Sequence, residues 1–291
     1  MNASLVVNPV AGRRRHRVIR EIEKLIREKV SCTTFITRGK GDAFAFAKDA
    51  ADTDIIIVAG GDGTFNEVLN GLLSPENNFS EKINIPLALI PLGTTNVLAK
   101  ELGIPHNVEK AVHLALTGAP KKISLGRING RYFSLMAGIG FDGEAVLKAN
   151  NRIKRFLGKG AYIYSGLKTL AGYRPPLIQV KISKETFTGF NVVAGNARCY
   201  GGNFKVNPKA DITEPLIDVC LLKSKSRKRL LRFIAGVVFK RHLNFRDVVY
   251  RKTARVEITS KDTVHVQIDG DYFGTLPVSI DVVKDAVSVV W

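Results

Sequence analysis

Three short polar segments carry the residue types that phosphate chemistry needs. Gly60-Gly61-Asp62-Gly63-Thr64 follows the apolar run Ile55-Ile56-Ile57-Val58 and precedes a helix-forming stretch through Asn66, Glu67, Val68 and Leu69. Glycines let a backbone approach a ligand closely, and the N-terminus of the following helix adds partial positive charge that suits a phosphate. Asp62 is placed to hold Mg²⁺ through water beside such phosphates. Asn8-Pro9-Val10-Ala11-Gly12 leaves the run Leu5-Val6-Val7 in the same way. Leu92-Gly93-Thr94-Thr95-Asn96 leaves the run Leu87 to Pro91, and Thr94 or Thr95 offers a hydroxyl donor. In any one of these segments taken alone, a tight turn is the better explanation of the glycine. Three of them on one sheet edge favour a nucleotide site. The chain has no GxxxxGK[ST] loop and no GxGxxG fingerprint after a strand, so the site must work without a P-loop lysine. The five histidines show no metal-ligand spacing.

The elements that must position these segments alternate. Val18, Ile22, Leu25 and Ile26 recur at helical spacing after the first strand. A strand at Cys32–Ile36 and a helix at about 43–51 follow. The continuous β-branched run at Ile55–Val58 is what a parallel strand buried on both faces requires. Strand, polar turn and helix, repeated, predict an open parallel α/β sheet, whose ligands bind at the carboxyl ends of the strands. Beyond about Lys122 the pattern changes. Strand-like segments at 122–128, 132–136, 177–183, 187–194, 216–222, 254–259, 264–268 and 278–291 are joined mostly by turns and predict an antiparallel sandwich. The expected organisation is therefore α/β plus mainly β. A nucleotide-binding domain spans 1–122, and a β-sandwich acceptor domain spans 123–291 with a helical insertion at about 153–172. The active site is expected in the cleft between them.

Composition narrows the class. The 291 residues are 45% hydrophobic and 24% charged, enough for a sizeable core. Cys32, Cys199 and Cys220 are scattered and odd in number, which argues against a disulfide framework or a zinc site. No apolar run reaches the roughly 20 residues of a membrane-spanning helix, and no signal-peptide pattern opens the chain. These features predict a cytoplasmic protein. The net charge of +18 calls for anionic partners. It is concentrated: twelve Lys and Arg lie between Lys223 and Arg255, with Asp247 the only acid. Nucleic acid is disfavoured, because no helix-turn-helix, RNP or zinc-finger pattern is present and the aromatics do not interleave with the basic run.

The segment Gly60-Gly61-Asp62-Gly63-Thr64-Phe65-Asn66-Glu67-Val68-Leu69-Asn70-Gly71 resembles the GGDGTxNEVxNG signature of the diacylglycerol kinase catalytic domain family, shared with sphingosine and ceramide kinases. GGDGT alone also resembles NAD kinases and phosphofructokinases; the NEVxNG extension is more specific. Asn8-Pro9, Thr37 with Gly41-Asp42-Ala43, Pro91 to Asn96, Ala137 to Asp142, Gly195-Asn196, Tyr200-Gly201-Gly202 and Ile268 to Asp271 agree in order. The resemblance covers essentially the whole chain. It implies ATP and Mg²⁺ as cofactors, with ATP held by Asn8 to Gly12, Thr37, Gly61 to Glu67 and Thr94. It places the catalytic base in the Asp269-Gly270-Asp271 turn, with Asp269 as base and Asp271 on the metal side. Without it, Asp-Gly-Asp reads as a type I′ hairpin turn. It also implies a structural Mg²⁺ loop at Asp211, Glu214 and Leu216. Here Pro215 replaces the usual glycine and stiffens that loop. Val97 stands where many relatives carry Asp.

The reaction implied is transfer of the γ-phosphoryl group of ATP to a lipid hydroxyl, diacylglycerol first. Sphingosine, ceramide, NAD and a pseudokinase are the alternatives. Leu230, Phe233, Ile234, Val237 and Val238 follow helical spacing among Arg227, Lys228, Arg229, Arg232, Lys240 and Arg241. They predict a basic amphipathic helix that docks at the inner face of an anionic membrane. A core-facing helix with a solvated charged face is the other reading. The sequence leaves room for a homodimer.

Overall fold

The structure, a computed structural model, describes residues 1–11, 15–50, 52–75, 85–148, 170 and 172–291. The chain forms two compact units. One comprises Met1–Ser124 with Lys284–Trp291, and the other Leu125–Val283.

The first unit opens with β1 (Asn2–Val7), α1 (Arg15–Arg27), β2 (Ser31–Ile36), α2 (Asp42–Asp49), β3 (Ile55–Gly60), α3 (Asp62–Leu72) and β4 (Leu87–Pro91). Helices α4 (Val97–Leu102) and α5 (Val108–Thr117) follow. The strands are parallel in the order β2-β1-β3-β4. Every residue of β3 and of β4 is buried, as a central parallel strand covered on both faces must be. On one face Ile19, Ile22 and Ile26 of α1 pack with Ala111, Val112 and Ala115 of α5 against Leu5, Ile57 and Ile90. The periodicity of α1 was legible, whereas α5 was not read from the sequence.

Strand β5 (Pro120–Ile128) carries the chain into the second unit. There follow β6 (Arg131–Phe133), β7 (Met136–Ile139), α6 (Phe141–Lys148), β8 (Ile178–Ile182), β9 (Glu185–Gly189), β10 (Asn191–Gly195), β11 (Cys199–Tyr200) and β12 (Phe204–Lys205). The chain continues through β13 (Ile217–Leu222), α7 (Arg227–Val238), β14 (Val248–Thr253), β15 (Arg255–Thr259), β16 (His265–Ile268), β17 (Asp271–Thr275) and β18 (Val278–Val290). An antiparallel sheet of order β14-β13-β10-β7-β16-β17 is one layer of this unit. The first residues of β18 pair with β15, which pairs with β8, and β8 with β9, giving the other. Ile139, Val192, Val219 and Val266 from one layer share a core with Val180, Ile258 and Ile280 from the other.

Two outcomes differ from the sequence reading, and one expectation falls outside the described residues. The last residues do not stay with the sandwich: Lys284–Trp291 belong to the first unit, where Val289 pairs in parallel with Leu87. The single segment expected at 187–194 is two strands, β9 and β10, that lie in different sheets. The chain crosses between layers at Gly189, where a Cβ would stand 2.3 Å from a Leu221 methyl. The helical insertion expected at about 153–172 lies almost wholly outside the described residues.

Candidate active site

In the first unit four turns gather at the carboxyl ends of the parallel strands. After β1, Asn8 donates from its side-chain amide to the Thr64 hydroxyl at 2.9 Å and accepts the Val10 N–H at 3.1 Å. The turn beyond it is closed by the Ala11 N–H donating to the Asn8 carbonyl. After β2, the Thr37 N–H continues the pairing with the Val7 carbonyl, and Asp42 accepts the amides of Arg38 and Gly39. Gly41, at a φ of 95° that favours glycine, donates its N–H to the Glu67 carboxylate at 3.1 Å. After β3 and β4, Gly61 and Gly93 meet. A Cβ on Gly93 would lie 2.7 Å from the Gly61 Cα, which bars a side chain there, and one on Gly61 would press on the Gly93 Cα at 3.2 Å.

Asp62 couples the last two turns. Its carboxylate accepts the N–H groups of Val97 at 3.0 Å and Leu98 at 2.9 Å, the first amides of α4. Those amides have no partner within their own helix, so the aspartate caps α4 from 35 residues upstream. Asn96 completes the turn by donating to the carbonyls of Gly93 at 2.9 Å and Pro91 at 3.3 Å. Of the expected nucleotide-binding residues, Val10, Gly63 and Thr94 are exposed, whereas Thr64, Asn66 and Asn96 are buried. The first group faces outward and the second holds the turns in shape. Gly12 lies outside the described residues. Within the NEVxNG stretch, Asn70 donates to Asn66, and Gly71 lets α3 press on α2, since a Cβ there would sit 2.3 Å from the Phe44 carbonyl oxygen.

The second unit holds a different arrangement. Asp269 and Gly270 have φ of 47° and 88° and form the two-residue turn between β16 and β17, with Ile268 opposite Asp271. The Asp269 carboxylate accepts four hydrogen bonds: the N–H groups of Ser134, Leu135 and Met136 and the Ser134 hydroxyl, at 2.9 to 3.2 Å. The Gly270 N–H donates to the Gln267 side-chain oxygen at 2.8 Å, and the Gln267 amide donates to Asp142 at 2.6 Å. Tyr200 also donates to Asp142. Burial pushes the Asp142 carboxyl up to about 7, against the stabilising bond from Gln267. Three segments singled out in the sequence, Ala137 to Asp142, Tyr200 to Gly202 and Ile268 to Asp271, thus meet at one buried carboxyl. No role for Asp142 was read from the sequence. A lone buried Asp after a Gly-x-Gly turn was the available signal.

Two of the residues expected to hold a structural cation have their carboxylates on other partners. Asp211 turns its carboxylate to the N–H and hydroxyl of Thr213, which hold it below the usual carboxylate range. Glu214 is paired with the Lys252 ammonium. Among the described residues no group of three or more His, Cys, Asp or Glu is disposed to hold a metal ion.

The basic helix is corrected. Leu230, Phe233 and Val237 of α7, expected to face a bilayer, are buried in the protein. Arg229 and Arg232 are tied to Asp247. What remains outward is a narrower apolar group, Leu231, Val238 and Phe239, of which Phe239 is 73% exposed. Among the described residues no helix is long and apolar enough to cross a membrane.

Residues 2–128 match the diacylglycerol kinase catalytic domain, and residues 136–291 match the YegS C-terminal NAD kinase beta sandwich-like domain. The chain is 32% identical over 284 residues to a diacylglycerol kinase of Bacillus subtilis (strain 168), covering 94% of this chain and 91% of that one. It is 27% identical over 293 residues to a diacylglycerol kinase of Staphylococcus carnosus (strain TM300), covering 99% and 94%. A crystal structure from Bacillus anthracis str. Sterne superposes with a TM-score of 0.83 at 25% identity, covering 100% of this chain and 95% of that one. Fold, turns and these relatives together define an ATP-dependent lipid kinase that phosphorylates an alcohol. The chain belongs to the diacylglycerol kinase family.

Proposed function

We propose that this kinase phosphorylates diacylglycerol to phosphatidic acid, with ATP brought as its Mg²⁺ complex. The relatives named for that reaction support the lipid. The Gly61–Gly93 approach supports the nucleotide, because two side-chain-free turns expose backbone to phosphates at the strand ends. Val10, Gly63 and Thr94 present the ligand-facing surface of the nucleotide site, while Asn8, Asp62 and Asn96 hold the turns. Mg²⁺, when bound with ATP, neutralises charge on the phosphates during transfer. The protein then has mainly to position the hydroxyl and take its proton.

The sequence expectation made Asp269 the base. Its four hydrogen bonds argue for the reverse assignment. A carboxylate has about four acceptor positions, and these donors occupy that number, leaving little for a substrate proton. Asp269 is therefore the anchor that sets the turn, and Asp271, half-buried at the start of β17, is the proton acceptor. The outward Leu231, Val238 and Phe239, flanked by Arg227, Lys228 and Lys240, are the contact with an anionic bilayer.

The test is transfer of labelled γ-phosphate to diacylglycerol, monoacylglycerol, sphingosine and ceramide in anionic mixed micelles. Label is expected in diacylglycerol. Asp271→Asn is expected to lower kcat roughly 10²–10⁴-fold with an unchanged melting temperature. Asp269→Asn is expected to lower the melting temperature. Label confined to another lipid would overturn the substrate, and a folded, inactive Asp269→Asn beside an active Asp271→Asn would restore the first assignment.

A further inference from the structure

The loop between β12 and β13 carries Asp211 and Glu214, and Asp218 follows as the second residue of β13, within a protein otherwise rich in bases. Asp218 is fully buried, yet neither of its carboxylate oxygens meets a hydrogen-bond donor at bonding distance. A buried carboxylate in that state needs a compensating charge. Lys252 supplies one. It stands on β14 directly opposite Asp218 in the strand register, so both side chains rise from the same face of the sheet. Its ammonium contacts Glu214 and lies 3.9 Å from Asp218.

We propose that the Lys252 ammonium is the resident cation of this loop, performing the structural work for which the family resemblance called on Mg²⁺. The neighbouring groups agree with that role. Glu214 pairs directly with the ammonium, and Asp218 lies beside it on the facing strand. Tyr250 accepts the Lys209 N–H at 3.3 Å, which leaves its own proton to turn toward Asp218. Asn207, fully buried, donates to the Asp218 carbonyl at 2.8 Å and fixes the start of β13.

Divalent and ammonium occupancy exclude one another here. Mg²⁺ needs a near-octahedral shell of oxygens at roughly 2.0–2.1 Å and would have to take the Glu214 carboxylate that the lysine holds. The Asp211 carboxylate is turned to Thr213, its carbonyl accepts the Glu214 N–H at 3.0 Å, and Pro215 stiffens the loop at its own φ. The loop is thus a metal-independent version of a cation-braced turn, with its charge carried covalently by the neighbouring strand. This holds whichever lipid the enzyme phosphorylates.

Thermal unfolding of the nucleotide-free full chain tests it, in chelator and then in millimolar Mg²⁺ or Ca²⁺. The wild-type melting temperature is expected to be the same in all three. Lys252→Met, which keeps the apolar stem and removes the charge, is expected to lower it by on the order of 5 °C, while Lys252→Arg retains most of it. A rise with either metal that Glu214→Gln abolishes would overturn the proposal, because the loop would then hold the ion. A rise that survives Glu214→Gln belongs to another site, and Lys252→Met then decides: a wild-type melting temperature in that variant overturns the proposal, and a loss supports it.

Discussion

The turns of the first unit and the carboxylate cluster of the second use opposite means. At the ends of the parallel strands the protein offers backbone: glycines where turns must nearly touch, and side chains such as Asp62 and Asn96 spent on holding main chain in place. In the second unit side chains hold one another. Asp269 grips the segment Ser134–Met136, and the Gly270 amide reaches Asp142 through Gln267, across more than 120 residues of sequence. A backbone site is encoded locally, since glycine and turn chemistry act on the residues beside them. A side-chain network is encoded by sheet register, which only the assembled sandwich provides.

Three perturbations sharpen that contrast, beyond the loss expected for Asp271→Asn. The largest concerns Asp142. Its folded pKa of about 7 lies above its unfolded value, so the folded protein keeps a proton that the unfolded chain releases. This favours the fold at low pH and is lost as pH rises toward 7, by about 4 kcal/mol in all. Asp142→Asn carries no such charge. Its stability relative to wild type should therefore improve steadily between about pH 4 and 7, as melting curves across that range would show. A constant difference would mean that the carboxyl is ionised throughout.

Gly71→Ala comes next. The added methyl meets the Phe44 carbonyl across the α2–α3 contact, and overpacking of this kind costs about 1–3 kcal/mol, partly offset by better helix propensity. A lowered melting temperature with an unchanged KM for ATP is expected, because the contact is packing and not a ligand surface. Asp62→Ala is the mildest for stability, about 1 kcal/mol for the lost cap of α4. Its signature is kinetic: the KM for ATP rises as the Gly61 and Gly93 turns loosen. A marked increase in the Mg²⁺ concentration needed for half-maximal rate would show that Asp62 also serves the ion, as the sequence reading held.

The spacing of apolar residues was enough to define β3, β4, α1 and the change from parallel to antiparallel pattern near residue 122. Burial on both faces, or on one helical stripe, leaves a local periodic record. Other features left none. The crossing at Gly189 hides inside a continuous apolar run, because both strands it joins are buried. The apolar stripe of α7 was visible, but its direction was not: the same spacing serves a bilayer or a core, and the packed structure chose the core. Residue types predicted Asp62 as an ion-side carboxylate, and the family resemblance implied Asp269 as a base. The tertiary structure showed each accepting backbone amides of segments 35 and about 135 residues away.

By itself the sequence determined the glycine-bearing turns of an α/β sheet and a signature that places the chain with lipid kinases, because those segments are contiguous and act on the residues beside them. Which carboxylates accept backbone amides, and that Lys252 pairs with Glu214 beside Asp218, are features of the tertiary structure alone. Those outcomes depend on hydrogen bonds and ion pairs between strands whose register no local pattern records.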